Sequence, residues 1–136
     1  MTKGDFETLA GFRYALRRFL RFSEQVTRAN GATPLQYQLM LQIRGFPGRD
    51  WATVAELAER LQAQHHAVVQ LISRCEAAGW VRRDASRDDQ RRVEVRLTAD
   101  GERRLERLAR LHRDELRSIK GGFAVPGLRD RAVRAR

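Results

Sequence analysis

The chain has one cysteine, two lysines and three prolines among 136 residues, and no apolar run long enough to span a bilayer. Each scarcity removes a class of protein. A single thiol, Cys75, can neither close an internal disulfide nor supply a multi-cysteine metal site. Without about 18 consecutive apolar residues nothing crosses a membrane, and no hydrophobic signal segment follows Met1, so a cytoplasmic protein is expected. The motifs that cradle phosphates or expose nucleophiles are missing too: there is no G-x-G-x-x-G, P-loop, G-x-S-x-G or H-E-x-x-H, so neither an enzyme nor a cofactor is expected. The adjacent His65 and His66 diverge on a helix and have no third ligand nearby, which argues against zinc. What the chain does have is positive charge, almost all of it arginine: 27 Lys and Arg against 17 Asp and Glu, a formal net charge of +10. That balance calls for an anionic partner, nucleic acid before membrane surface. At this length one domain is expected, with a core modest enough that dimerisation would add to its stability.

The pattern is clearest from Thr53 to Thr98. Thr53 and Glu56 have the spacing of a capping box, in which each side chain satisfies the other's free backbone N–H. Val54, Leu57, Ala58 and Leu61 then follow at helical spacing. A turn at Gln62–Ala63 is short enough to force the next helix across the first. That next helix places Val68, Leu71, Ile72, Cys75 and Ala78 inside and ends at Gly79, which suits a left-handed cap. On its other face His66, Gln70 and Arg74 recur every four residues, with Gln64 and His65 at the N-terminal tip. These side chains have hydrogen-bonding ends and the reach to meet base edges in a major groove. An ordinary solvated polar face would look the same, and the hairpin that follows weighs against that reading. Trp80–Arg83 and Arg92–Leu97 alternate, with Val93, Val95 and Leu97 on one face and Arg92, Glu94 and Arg96 on the other. Between them, Asp84–Arg91 holds Arg87 and Arg91, which can lie along phosphates or enter a minor groove. Asp88 and Asp89 would repel phosphates, so one of them is expected to pair with an arginine and set the shape of the loop.

The flanks read as further helices. Phe6 to Arg28 carries Phe6, Leu9, Phe12, Leu16, Phe19, Leu20, Phe22 and Val26 over about half of its circumference, wider than the ~100° stripe that packs on one core. Such a helix should touch both its own domain and a partner subunit, with Arg13, Arg17, Arg18 and Arg21 on the remainder; a basic helix lying on a membrane is the competing reading. Asn30-Gly31 breaks it, and Thr33-Pro34-Leu35-Gln36 starts a second helix to about Arg44. Leu35, Leu39, Met40 and Ile43 form its core face, and Tyr37 and Gln38 look outward or toward the first helix. Phe46-Pro47-Gly48 is a turn, after which Arg49–Ala52 can add a short third strand in which Trp51 packs. Thr98 caps a last long helix with Asp100 and Glu102 in its first turn. Its apolar stripe is Leu105, Leu108, Ala109, Leu116 and Ile119, with His112 in the middle. That histidine is either hydrogen-bonded within a helix interface or a pocket or pH-responsive group. Gly121-Gly122 ends the helix, and the tail 121–136 is too broken for another full one.

ELAERL, then RCEAAGWVRR, then DQRRVEVRLTADG, with D-x-R followed by L-T-x-x-G, resembles the MarR family of bacterial transcriptional regulators from roughly Thr33 to Lys120. The resemblance implies a mainly α fold with a small β-hairpin wing. It would be one domain over 1–136, with a winged helix-turn-helix at 33–98 between dimerisation helices at 1–30 and 99–136. It places His66, Ala67, Val69, Gln70 and Arg74 on the DNA-facing side of the recognition helix, and Asp89 and Arg91 in the wing. Gln64, His65 and Arg87, read from their positions, join them as candidate contacts. It further implies a homodimeric repressor on a pseudo-palindromic operator in double-stranded DNA, relieved by a small aromatic or phenolic effector, for which Phe12, Tyr37 and His112 are the candidate wall. The alternative is a winged-helix module that binds nucleic acid nonspecifically, or protein, without effector control. Three departures matter. The family commonly has Ser or Thr at the start of this helix and Arg where Gln70 stands, so the base preference is this chain's own. It usually completes its dimer with a further C-terminal helix, which this chain shortens or lacks. Its thiol-regulated members carry their cysteine near the N-terminal helix, whereas Cys75 falls on a buried face and is expected to pack there.

Overall fold

The computed structural model describes residues 1–89 and 91–118. Ile119, the expected helix end at Gly121-Gly122 and the tail 121–136 lie outside the described residues. Three helices begin with a reciprocal cap. In α1 (Lys3–Ala29) the Thr2 hydroxyl takes the Asp5 N–H and the Asp5 carboxylate returns to Thr2, a start three residues earlier than Phe6 that the apolar pattern does not reveal. Thr33 and Gln36 do the same for α2 (Pro34–Arg44), and Thr53 and Glu56 for α3 (Val54–Leu61). Each cap satisfies two backbone N–H groups that the helix cannot. Burial raises the Glu56 carboxyl pKa, but hydrogen bonds from Thr53 and the neighbouring Arg49 outweigh it and hold it below the ordinary value. A folded-state pKa that is depressed stabilises the fold above the ordinary carboxylate range, and that stabilisation is lost as pH falls through the lowered value.

α3 hands over to α4 (His65–Ala77) through Gln62, which sits in the left-handed region at φ 51° and offsets that strain with an amide donated to the Glu59 carbonyl at 2.8 Å. α4 ends at Ala78, and Gly79 takes φ 83°, the conformation that glycine adopts at least cost. The wing is β2 (Val81–Ala85) against β3 (Val93–Leu97), antiparallel, in register from Val81–Leu97 to Ala85–Val93. The expected short strand is present as β1 (Trp51–Ala52), paired to β3 on its other edge. α5 (Ala99–Ser118) follows the wing.

α2 is the centre of the molecule, packing against α1, α3, α4, α5 and the sheet. Its Leu39, Met40 and Ile43 meet Leu57, Val68, Ile72, Cys75, Val95 and Leu108 in one continuous core. Several sequence expectations change here. Leu35 is 54% exposed, because it occupies the first turn of α2, at the rim. Tyr37, expected to look outward or toward α1, is buried, because α5 crosses α2 there and puts His112 against its ring. Ala78 is exposed because the helix has already ended, and Leu116 is exposed near the end of α5. In α1 only Ser23 and Thr27 are buried; Phe6 is 56% and Leu20 52% exposed. The wide apolar face of α1 is therefore only half used by its own domain. No helix among the described residues is long and apolar enough to cross a membrane.

Candidate nucleic-acid interface

α4 presents Gln64, His65, His66, Ala67, Gln70 and Arg74 to solvent, with Val69 half-buried at the edge of the row. Gln64 is the N-cap residue yet makes no capping hydrogen bond through its side chain, so its amide at the tip has no side-chain hydrogen bond among the described residues. Arg74, two turns on from His66, opens onto a cavity of about 390 Å³ beside the start of α2 and the end of α1. The helix thus offers a polar outer row with no apolar ridge, over a fully packed inner one.

Arg83, for which the sequence carries no distinguishing signal, ties this helix to the wing. It lies on β2 facing α4, and its guanidinium donates to the Val69 carbonyl at 3.2 Å, to the Ser73 hydroxyl at 3.0 Å and to Glu76 at 2.9 Å, while its backbone N–H meets the same carboxylate at 3.2 Å. A planar guanidinium can fill several acceptors in one plane, so helix and hairpin are fixed relative to each other. An arginine in an alternating strand reads as outward and solvated, and nothing in its spacing says otherwise.

The wing loop is built differently from expectation. Neither Asp88 nor Asp89 pairs with an arginine side chain among the described residues; the Asp89 carboxylate accepts the backbone N–H of Arg91 at 3.0 Å, which caps the turn locally. The organising group is Ser86, 2% exposed, whose hydroxyl oxygen accepts the N–H groups of Asp88 and Asp89 and a guanidinium N–H of Arg92. Arg87 and Arg91 stand exposed and hold no ion pair among the described residues. The arginines on the outer sheet face are occupied instead. Arg96 meets Asp50 at 3.2 Å and Glu94 at 2.9 Å, Arg82 meets Asp84 at 2.9 Å, and Arg49 pairs with Glu56 while stacking on Phe46 and Trp51. Arg92 and Arg96 cover Glu94, which explains why a carboxylate on the outer face is buried. Charge on the wing is thereby sorted into neutralised arginines on the sheet and unneutralised ones in the loop.

A short strand, two crossing helices of which the second has a polar outer face, and a hairpin with a basic loop that pairs back to that strand give the outline of a winged helix. Residues 30–92 match the MarR family. The solved MarR structures that resemble the chain include a MarR family protein from Bacillus stearothermophilus, at 19% identity over 99% of this chain and 89% of that one, with a TM-score of 0.76. AbsC, a MarR family transcriptional regulator from Streptomyces coelicolor, is 19% identical over 99% and 88%, with a TM-score of 0.74. A mutant MepR from S. aureus, bound to an oligodeoxyribonucleotide, is 18% identical over 91% and 86%, with a TM-score of 0.67. Likeness at this identity concerns the MarR fold, mainly helical with a small antiparallel sheet. No curated protein matches the sequence.

Two further reactive or titratable groups are buried in this MarR fold. Cys75 is fully buried on the inner face of α4, and desolvation pushes its thiol pKa up to about 11. Since the thiolate is the reactive form, only on the order of one molecule in a few thousand would carry it near pH 7.5. Iodoacetamide should therefore leave the native protein unmodified for hours while alkylating the denatured chain within minutes; modification of the folded protein within minutes would contradict this burial. The second group is His112, 4% exposed, with Nδ1 2.7 Å from the Leu108 carbonyl and Nε2 2.8 Å from the Ser23 hydroxyl. A carbonyl only accepts, so Nδ1 carries the proton and, in the neutral ring, Nε2 accepts from Ser23. The imidazole stacks on Tyr37 at 4.2 Å between ring centres and meets the edges of Phe19 and Phe22 at 6.0 and 5.8 Å. Burial raises the Tyr37 pKa. Of the expected wall of Phe12, Tyr37 and His112, the last two stack directly on each other, and Phe12 lies about 10 Å further along α1 than Phe19. An open cavity of about 740 Å³ lies instead between α1 and the end of α5, lined by Tyr14, Arg18, Phe19, Arg21, Phe22 and Glu115 among others. Among the described residues no cluster of three metal-ligating side chains exists.

Proposed function

We propose that the chain is a homodimeric, sequence-specific DNA-binding transcriptional regulator, acting as a repressor. The observation that carries this is the rigid joining, through Arg83, of the outward row of α4 to a wing whose Arg87 and Arg91 are free of carboxylates among the described residues. Gln64, His65, His66 and Gln70 reach base edges while Arg87 and Arg91 take phosphates or the minor groove, and Asp89 shapes the loop. The MepR mutant seen with an oligodeoxyribonucleotide supports a DNA role for this architecture. The half-used apolar face of α1 supplies the dimer contact, and a two-fold dimer sets half-sites about 34 Å apart. Relief by a small aromatic or phenolic effector is supported by the cavity along α1, whose lining combines the rings of Tyr14, Phe19 and Phe22 with Arg18 and Arg21.

Selecting binders from random duplexes should enrich an inverted repeat. Enrichment of no sequence, with affinity that follows salt alone, would indicate the nonspecific module. Within an enriched site, Gln70→Ala should change base preference at one or two positions per half-site, by about 1–3 kcal/mol. Arg91→Ala should weaken binding to all sequences and reduce the logarithmic salt slope by about 0.9 for each phosphate that the guanidinium neutralises. Equal losses for both variants on every sequence would remove Gln70 from base reading.

A further inference from the structure

Arg87 and Arg91 can serve DNA only if the loop that carries them is held, and its anchor is not the charge pair expected of the wing. Ser86 Oγ receives the backbone N–H groups of Asp88 at 3.2 Å and Asp89 at 3.3 Å, and Arg92 Nη2 at 3.0 Å. A hydroxyl that gathers two turn N–H groups fixes the backbone only if it is itself fixed. Arg92 does this from the sheet: its guanidinium also meets Glu94 at 3.5 Å and lies 5.0 Å from the centre of the Trp51 ring. Its Nε is buried with no acceptor among the described residues, so the guanidinium is held where stacking and the Ser86 contact place it, at the expense of its own hydration. Trp51 is fixed in turn. Arg49 lies over the same ring at 3.9 Å and pairs with Glu56, whose other oxygen closes the cap of α3 at Thr53. A continuous series of contacts therefore runs from the start of α3 through Arg49, Trp51 and Arg92 to Ser86 and the loop.

We infer that Arg92 and Ser86 are positioning residues for the wing: together with Trp51 they set the loop so that Arg87 and Arg91 meet DNA, while Arg92 itself stays off it. The inference rests on the DNA-reading function proposed above. Arg92→Lys keeps the charge but loses the planar fork and the stacking, Ser86→Ala removes the acceptor, and Trp51→Phe keeps an aromatic face. Binding of the full-length variants to a random-sequence duplex over a range of salt separates the roles. Arg92→Lys and Ser86→Ala should each weaken binding about tenfold and reduce the salt slope as Arg91→Ala does. Adding Arg91→Ala to either should then cost less than about threefold more, because residues acting through one loop do not add. Trp51→Phe should bind within about threefold of wild type. Amide exchange at Asp88 and Asp89, measured without DNA, should accelerate in Arg92→Lys and Ser86→Ala while the exchange of core amides is unchanged. A full additive loss with Arg91→Ala, or wild-type binding by Arg92→Lys, would overturn the inference. Should wild type bind no duplex at all, the DNA reading fails by itself, and the exchange rates still decide whether this anchor holds the loop: unchanged rates at Asp88 and Asp89 overturn it.

Discussion

Gly101→Ala should cost the fold about 3 kcal/mol or more, although it adds a single methyl group. A Cβ built on Gly101 would stand 2.0 Å from the Trp80 carbonyl oxygen, 2.8 Å from its carbon and 3.1 Å from its Cα. All three are backbone atoms, so no rotamer change relieves the clash. Nor can the helix slide away freely. Thr98 donates its hydroxyl to the Gly79 carbonyl at 2.6 Å, accepts the Gly101 N–H at 3.0 Å, and gives its own N–H to the Trp80 carbonyl at 3.0 Å. Lifting α5 to admit the methyl would break these bonds and pull Leu105 and Leu108 from the core. Chemical denaturation checks this directly, with Gly11→Ala as the control, since a Cβ there meets nothing within 4 Å. A loss below about 1 kcal/mol for Gly101→Ala would mean that the first turn of α5 is not seated as described.

Replacing Leu9 and Leu20 together by Glu should yield a folded monomer with DNA affinity reduced by about 100-fold or more. The two lie eleven residues apart, within about 20° of each other around the helix, on the part of α1 that its own domain leaves uncovered. Four exposed carboxylates would then face each other across a dimer interface, while the core would keep all its packing. A monomer that reads one half-site forfeits the second, effectively intramolecular, binding event, typically worth 10²–10⁴-fold in ~mM effective concentration. Phe19 would be a confusing target, because that ring also packs against His112. Sedimentation showing wild type as a monomer at micromolar concentration would end the dimer proposal, as would a dimeric double variant.

The local grammar of the chain is legible where one residue satisfies its neighbour. Thr33 with Gln36, Thr53 with Glu56, and Gly79 after α4 each announce a helix end within four residues, and the structure has all three. The MarR resemblance, carried by the same stretch, is borne out over residues 30–92. What stays hidden depends on partners far along the chain. Tyr37 is buried by a histidine 75 positions away, and Arg83 bonds to a helix that ended several residues before it. Leu35 has the correct spacing for the core face but sits at the rim, which periodicity cannot distinguish. Ser86 is a small polar residue in a polar loop; only its burial reveals that the loop is wound on it. In the L-T-x-x-G pattern Thr98 is legible as a helix cap but Gly101 only through family resemblance, and the physical reason for both is their seat on Gly79 and Trp80.

That seat has a mechanical consequence. α5 starts against the residues where α4 stops, and it then extends about 30 Å along α1. With Gly79–Trp80 as fulcrum, α5 is the long arm and α4 the short one. A tilt of about 5° moves the tip of the long arm by roughly 2.6 Å and that of the shorter α4 by about 1.7 Å, half of the ~3.4 Å rise between successive base pairs. In the dimer proposed above, small changes in how two α1–α5 pairs lie together would therefore shift each α4 by an appreciable fraction of a base-pair step.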